Sequence, residues 1–313
     1  LNFLCPEEEN ETLRNETESF GQSAPLEVKL EWKIKALRGG TTMEFWKING
    51  NGNDFITLDM LAAQKPAHEL AELARRLCRR RASVGADGLL IVEPSAGAHF
   101  RMRLFNADGS EAEMCGNGAR CIARFAYERG VAPAEMTFET LAGVMRARVE
   151  GSFAEIDLGE QSFAPDWIDR PLTMDGAVFR SCFLWVGVPH LVLFAPEELS
   201  RDDCRRIGRV FRADASLFPQ GCNVNFARPV GRGELSAVTY ERGVEDLTDS
   251  CGTGSVAAAL SAGLLFGMDS PIEVHNPGGT NRVAFERLDG TRFRAVLGGD
   301  TAVVAKGELG PDA

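Results

Sequence analysis

One short phrase occurs twice in this chain. Met114-Cys115-Gly116-Asn117-Gly118 opens one apolar stretch, and Ser250-Cys251-Gly252-Thr253-Gly254 opens another, with the cysteines 136 residues apart. Each phrase is a cysteine, a Gly-x-Gly and then small or apolar residues that read as a helix, Ala119 to Tyr127 in one case and Ser255 to Leu265 in the other. The spacing is half of the 271 residues that run from Met43 onward, which predicts two structurally similar halves. Strands are expected at Glu44–Lys47, Phe55–Asp59, Leu89–Glu93 and Phe100–Asn106, and again at Val178–Val186, Leu191–Phe194, Val224–Pro229 and Glu234–Tyr240. Both helices are too apolar for a surface position, so each is expected to be wrapped by the strands of its own half. Their N-termini would then point into the cleft between the halves.

A cysteine at a helix N-terminus stands in the positive end of the helix dipole, which favours the thiolate. From a free thiol pKa near 8.5, a lowering of about one or two units would make a good base. The neighbouring glycines free backbone amides to hold a carboxylate and the charge that builds up as an α-proton leaves. Two thiols facing one small anion could take a proton from one face of a carbon and return it to the other, provided the second stays protonated as the acid. A structural disulfide between Cys115 and Cys251 is not expected in a reducing compartment. Cys121, within the first helix, reads as core.

The net charge of -11 argues against nucleic acid as the main partner. The basic cluster Arg75, Arg76, Arg79, Arg80 and Arg81 ends a helix that starts near Pro66, and reads as a solvated face. No apolar run reaches membrane-spanning length. The eight cysteines show no C-x-x-C and no Cys/His spacing suited to zinc, so a cytosolic protein with reduced, buried thiols and no metal is expected. Residues 1–42 contain the acidic run Glu7-Glu8-Glu9-Asn10-Glu11 and little apolar periodicity before Leu26. They read as a disordered or artefactual extension, with Met43 as the functional start.

Longer motifs accompany the two cysteines. Lys47-Ile48-Asn49-Gly50-Asn51-Gly52-Asn53-Asp54-Phe55 resembles the opening motif of diaminopimelate epimerases. Phe105-Asn106-Ala107-Asp108-Gly109-Ser110 with Cys115-Gly116-Asn117-Gly118-Ala119-Arg120-Cys121 resembles that family's first catalytic segment. Tyr240-Glu241-Arg242-Gly243 with Cys251-Gly252-Thr253-Gly254 resembles its second. Val84-Gly85-Ala86-Asp87-Gly88, Pro189-His190 and Asn223-Val224-Asn225-Phe226 fall in the expected order. The resemblance implies an α+β fold of two pseudo-symmetric domains, each a mostly antiparallel or mixed β-sheet barrel around a central helix, with the active site in the inter-domain cleft. The domains would be 43–159 plus 298–313, and 160–297.

The same resemblance implies cofactor-free, two-base interconversion of LL- and meso-diaminopimelate, in lysine and peptidoglycan precursor synthesis. Cys115 would be proton donor and Cys251 acceptor in one direction. Gly116, Asn117, Gly252 and Thr253 would hold the reacting end, and Asn53, Asn106, Asn223 and Arg242 would bind substrate. His190 and Glu241 would orient the amino group and assist the thiols. The expected partner is a small amino acid, with no nucleic acid and no membrane, in a cytoplasmic enzyme for which a homodimer is the expected assembly.

Taken without the resemblance, Asn53 and Asn106 are ordinary turn residues, and His190 is as well explained as a structural histidine. Glu241 and Arg242, being adjacent, would face opposite ways on a strand, so a bulge or strand end is needed to bring both to one ligand. Two positions depart from the family pattern. Gly187-Val188-Pro189-His190 stands where many members read Gly-Asn-Pro-His, and Gly88 stands where some carry a glutamine. Val188 leaves open a cofactor-independent racemase of another amino acid. A thiol-dependent hydrolase or transferase, with one nucleophilic cysteine, and a non-catalytic amino-acid binding protein are the alternatives from other classes. A chain beginning at Met43 is expected to keep its Tm and its activity, and a large drop in either would show that the extension packs on the body.

Overall fold

A computed structural model describes residues 43–310. The expectations for 1–42 lie outside the described residues. The first half runs β1 (Glu44–Gly50), β2 (Asn53–Asp59), α1 (Ala67–Leu77), β3 (Gly88–Glu93), β4 (Phe100–Asn106), β5 (Glu111–Ala112), α2 (Gly116–Glu128), β6 (Glu135–Thr140), β7 (Gly143–Glu150) and β8 (Phe153–Phe163). After β9 (Arg170–Met174), the second half repeats the order as β10 (Ala177–Val186), β11 (Val188–Phe194), α3 (Arg201–Ala213), β12 (Asn223–Gly231), β13 (Glu234–Glu241), β14 (Asp246–Thr248), α4 (Gly252–Phe266), β15 (Ile272–Asn276), β16 (Gly279–Arg287) and β17 (Arg292–Glu308). Each of the two expected helices starts three residues earlier than its apolar run, because the Gly-x-Gly is itself helical.

The repeat extends to strand direction. β2 and β3 are parallel, as are β11 and β12; β4 and β6 are parallel, as are β13 and β15. The other pairings within each half are antiparallel. Neither half closes on itself. The first ring runs β1-β2-β3-β4-β6-β7-β8, then takes β17 from the second half to return to β1. The second runs β10-β11-β12-β13-β15-β16-β17, then takes β8 from the first half to return to β10. β8 and β17 are therefore shared, paired antiparallel from Phe153–Asp300 to Ser162–Arg292. This corrects the expectation that each helix is wrapped by its own strands alone. Closure removes open sheet edges, and sharing two long strands achieves it for both barrels at once.

Inside the first ring α2 packs on β1, β2, β3, β4, β7, β8 and β17; inside the second α4 packs on β10 to β13 and β15 to β17. α4 carries no polar stripe, as expected of a helix enclosed by sheet, and its ordered end is a left-handed Gly267 at φ 63°. The amphipathic α1 and α3 cover the outer faces, burying Leu70, Ala74 and Leu77, and Cys204, Ile207 and Phe211 respectively. No described helix is long and apolar enough to cross a membrane.

The two inner helices meet end to end at one side chain. A Cβ built on Gly116 would lie 2.9 Å from Leu297 Cδ2, and one on Gly252 would lie 2.8 Å from the same atom. Leu297, fully buried on the shared β17, thus seats the first residue of both helices, and a side chain at either place would have to displace its methyl group. Leu297→Ala should destabilise the fold by about 2–5 kcal/mol and loosen both helix starts together; amide exchange confined to one helix would show that they are not coupled through this residue.

Apart from the two repeated cysteines, the described thiols at 78, 121, 182, 204 and 222 are free and buried. Burial pushes Cys78 and Cys204 up to about 11, and Cys121 and Cys222 up to about 12, from an ordinary 9.0. A thiol whose pKa is higher folded than unfolded loses its proton first in the unfolded chain. Its contribution is complete below pH 9 and disappears as pH climbs toward 11 and 12. The urea midpoint should therefore fall steeply between about pH 9 and 11; a flat midpoint across that range would mean that these thiols ionise as readily folded as unfolded.

Candidate active site

Cys115 and Cys251 occupy the same place in the two halves. Both are extended N-cap residues, at φ -140° and -119°, followed at once by a helical glycine. Cys251 is buried, and its Sγ accepts the Gly254 N–H at 3.4 Å and lies 3.5 Å from Thr253 Oγ1. Cys115 is half-buried. Both thiols are free. The second glycine of each phrase also answers to packing. A Cβ on Gly254 would come within 2.4 Å of Asn225 Oδ1 and 2.8 Å of Thr239 Oγ1, so α4 can rest on β12 and β13 only as glycine there.

The thiols do not have the lowered pKa expected from the helix dipole. Burial pushes Cys115 up and outweighs the amides of Gly118 and Asn117, which favour the anion. Burial, then the Glu241 carboxylate, push Cys251 up to about 12. Desolvation wins because the dipole of a helix end is a partial charge worth of order 1 kcal/mol, whereas burying a full charge costs several. The Glu241 carboxylate disfavours the anion at both thiols, so it lies within electrostatic reach of both helix starts. Burial raises its own pKa as well.

The pseudo-symmetry breaks five residues beyond each cysteine. Arg120 is fully buried, whereas its counterpart is Val256. One Arg120 nitrogen donates to Asn117 Oδ1 at 2.8 Å, and the other two have no partner among the described residues. The guanidinium favours the Cys115 thiolate, whereas no cation is among the main influences on Cys251 within the described residues.

Around α2 the expected residues form a chain. Asn117 Nδ2 donates to Asn53 Oδ1 at 2.6 Å, and Asn53 Nδ2 donates to Asp87 Oδ2 at 3.2 Å. Behind them Arg80 grips Asp54 with two nitrogens at 2.8 and 3.1 Å, and reaches Asp87 at 2.6 Å. Lys47 lies 3.0 Å from Asp54. Burial pushes the Asp54 carboxyl up, but the Arg80 and Lys47 contacts outweigh it and hold it below the usual range. The arginine cluster is thus not simply a solvated face: Arg80 anchors the acids on which Asn53 depends. Asn106 stands apart, exposed, with its amide donating to Ser110 Oγ at 2.9 Å within its own turn.

Around α4 the strand end needed for Glu241 and Arg242 is present. β13 stops at Glu241, and Arg242-Gly243 turns the chain, with Gly243 at φ 94°. Arg242 N–H donates to Asn223 Oδ1 at 2.8 Å, and one guanidinium nitrogen donates to the Gln220 carbonyl at 2.8 Å. With one nitrogen taken up by Gln220, the planar guanidinium still has further donors, enough to grip a carboxylate. His190 is buried, in register with Asn223. Burial drags its pKa down to about 3. Val188, half-buried, opens β11 just after Gly187 at φ 69°.

Several polar residues at the site were not among the expected site residues. Asn225 and Thr239 line the strands beneath α4, and the Asn223-Val224-Asn225 alternation, two asparagines on one strand face, was the available signal. Asn51, at φ 52° in the β1–β2 turn, donates to Asn281 Oδ1 at 2.5 Å, and Asn281 donates to Ser255 Oγ at 2.9 Å, which ties the first half to the start of α4. Nothing local in the sequence marks that link. No cluster of three or more metal-ligating side chains occurs among the described residues.

The diaminopimelate epimerase family profile matches residues 45–164 and again 182–301, one match for each half. A diaminopimelate epimerase of Caldanaerobacter subterraneus is 38% identical over 283 residues, covering 85% of this chain and 99% of its own. One from Methanothrix thermoacetophila is 42% identical over 255 residues, covering 78% and 89%. Among solved structures, a phenazine biosynthesis protein of the PhzF family from Bacillus anthracis superposes with a TM-score of 0.66 at 16% identity, covering 86% of this chain and 99% of its own. A hydroxyproline epimerase from Agrobacterium vitis gives 0.62 at 15%, covering 86% and 91%. These two share the fold. The repeated match and the identity over nearly whole chains establish that this chain belongs to the diaminopimelate epimerase family.

Proposed function

We propose that this chain epimerises one α-carbon of diaminopimelate, from the LL to the meso form, with Cys115 and Cys251 as the two bases and no cofactor. The observation that carries this reading is the convergence of two cysteine-capped helix N-termini on Leu297, beside one carboxylate. In the reaction one thiolate takes the α-hydrogen as a proton. The electron pair moves toward the substrate carboxylate, where the amides after Gly116 and Gly252 stabilise it. The opposite thiol then gives its proton to the other face of the carbon. The thiol and thiolate have exchanged places, and the stereocentre has inverted.

The raised thiol pKa values fit this scheme if the substrate completes the site. An α-ammonium entering beside a buried thiolate supplies the missing opposite charge, and Arg120 biases that thiolate toward Cys115. Arg242 and Asn223 would hold a carboxylate, Asn53 and Asn117 the remaining polar groups, and Glu241 the ammonium. Asn106 would join them only by turning away from Ser110. The domain division 43–159 plus 298–313 and 160–297 belongs to the same proposal, supported by the pairing of the last strand with β1. So do a cytoplasmic location, a homodimeric assembly and a place in lysine and peptidoglycan precursor synthesis. A second reading, a racemase of a more apolar amino acid, is favoured by Val188 alone.

The direct test is proton NMR in deuterated water with LL-diaminopimelate and a panel of amino acids. Deuterium should enter one α-position of diaminopimelate as meso product forms; incorporation only into an apolar amino acid would transfer the assignment to the second reading. Cys115→Ala and Cys251→Ala should each reduce turnover by at least about 100- to 1,000-fold, and a single variant near the wild-type rate would sink the two-base scheme. Mild oxidation should link Cys115 to Cys251 reversibly, as mapped by mass spectrometry.

The planar fork of Arg242 can grip a carboxylate in a way that lysine cannot copy. Arg242→Lys should therefore lower kcat/KM for diaminopimelate by about 10-fold or more. Unchanged kinetics would remove the clamp. Val188→Asn should be tolerated with diaminopimelate and harmful with an apolar substrate.

A further inference from the structure

The amide of Asn225 has its orientation settled by its neighbours. Its nitrogen lies 3.0 Å from the Leu191 carbonyl oxygen, an atom that can only accept, and 3.1 Å from His190 Nδ1. Its oxygen lies 2.9 Å from Thr239 Oγ1, which therefore donates. The amide nitrogen has two protons, one for each acceptor it faces. His190 Nδ1 must then be the bare nitrogen of the ring, and the proton of neutral imidazole sits on Nε2. Nε2 is buried and has no hydrogen-bond partner among the described residues. Asn225 and Thr239 lie directly under Gly254, in the first turn of α4, so this network is part of the floor on which Cys251 stands. Burial keeps the ring neutral, and the charge of Arg242 acts in the same direction.

We propose that Asn225 is a positioning residue that locks His190 in the Nε2–H tautomer, making His190 a fixed hydrogen-bond donor to the carboxylate of the substrate. It is then neither a proton acceptor nor a partner for the substrate's ammonium, since a ring so held has no free lone pair to offer. The donor role rests on the epimerase reading above; the tautomer does not. A neutral donor also suits a site with two thiols, because it supports a developing anion without competing for the α-proton.

The chain has four histidines, so the ring nitrogens can be observed one by one in protein labelled with 15N-histidine. His190 is assigned by the signals lost in His190→Gln. At neutral pH wild-type His190 should show a protonated Nε2 and a bare Nδ1; the reverse pattern, or a ring protonated on both nitrogens, overturns the lock. In Asn225→Asp the neighbour of Nδ1 is a carboxylate that can only accept, so Nδ1 should gain the proton. With Nε2 no longer the fixed donor, kcat/KM for diaminopimelate should fall on the order of 10- to 100-fold. Thermal unfolding checks that the variant is folded, and if it is not, the wild-type spectrum decides the lock by itself. A folded Asn225→Asp with a reversed tautomer and wild-type kinetics overturns the donor role. Wild-type protein with the expected tautomer but no activity on diaminopimelate refutes the epimerase reading and supports the lock.

Discussion

The antiparallel pairing of β8 with β17 is the contact on which the rest of this structure depends. Each strand ends one half of the chain, and each completes the barrel of the other. Two helices as apolar as α2 and α4 are stable only when enclosed, since leaving either on the surface would forfeit about 25 cal/mol for every Å² of apolar area. Enclosure of both requires both shared strands. The same strands fix how the two helices face one another. Leu297 sits on β17 at the crossing, and the two helix starts close on it from either side. The site is therefore a by-product of barrel closure rather than a feature added to a finished fold.

This arrangement sets two electrostatic effects against each other. The helix ends offer amides and a positive dipole, while the enclosure that brings them together strips solvent from the thiols. The second effect is larger, and burial holds both cysteines toward the protonated thiol. That is a useful resting state for proton transfer. A permanently ionised thiolate in a wet cleft would be open to oxidation and alkylation. Under the proposed mechanism, a thiol that ionises only when a cationic substrate arrives is protected until it is needed. The buried Arg120, with Val256 at the matching place in the other half, shows that two repeats of one plan have been tuned differently.

The buried polar residues follow a consistent pattern. The Asn117–Asn53–Asp87 chain in the first half runs from a helix start into the strands, and the His190–Asn225–Thr239 chain in the second crosses three strands directly beneath Gly254 in the first turn of α4. Buried amides are tolerable only when their partners are present, and once satisfied they allow few alternatives. Each chain thereby holds its helix start rigid, which a reaction at a single carbon atom requires.

Much of this was legible in the chain itself. The duplicated cysteine phrase, the 136-residue spacing and the apolar runs after each phrase announced two alike halves and two enclosed helices, because local composition and periodicity are enough to specify an element and its burial. The motif around Glu241 and Arg242 was visible too, though not the strand end that lets both serve one site. What the sequence could not disclose were relations between distant residues. The exchange of β8 and β17 depends on which edges are left open once seven strands have curled. The raised thiol pKa values depend on how much water closure expels. Arg80 could be read only as a surface charge until Asp54 and Asp87 were brought beneath it, and the tautomer of His190 exists only because Leu191, Asn225 and Thr239, spread over three strands, meet at one point. Sequence determines which residues are able to do the chemistry; burial and geometry, which arise only on folding, decide their charge state and their orientation.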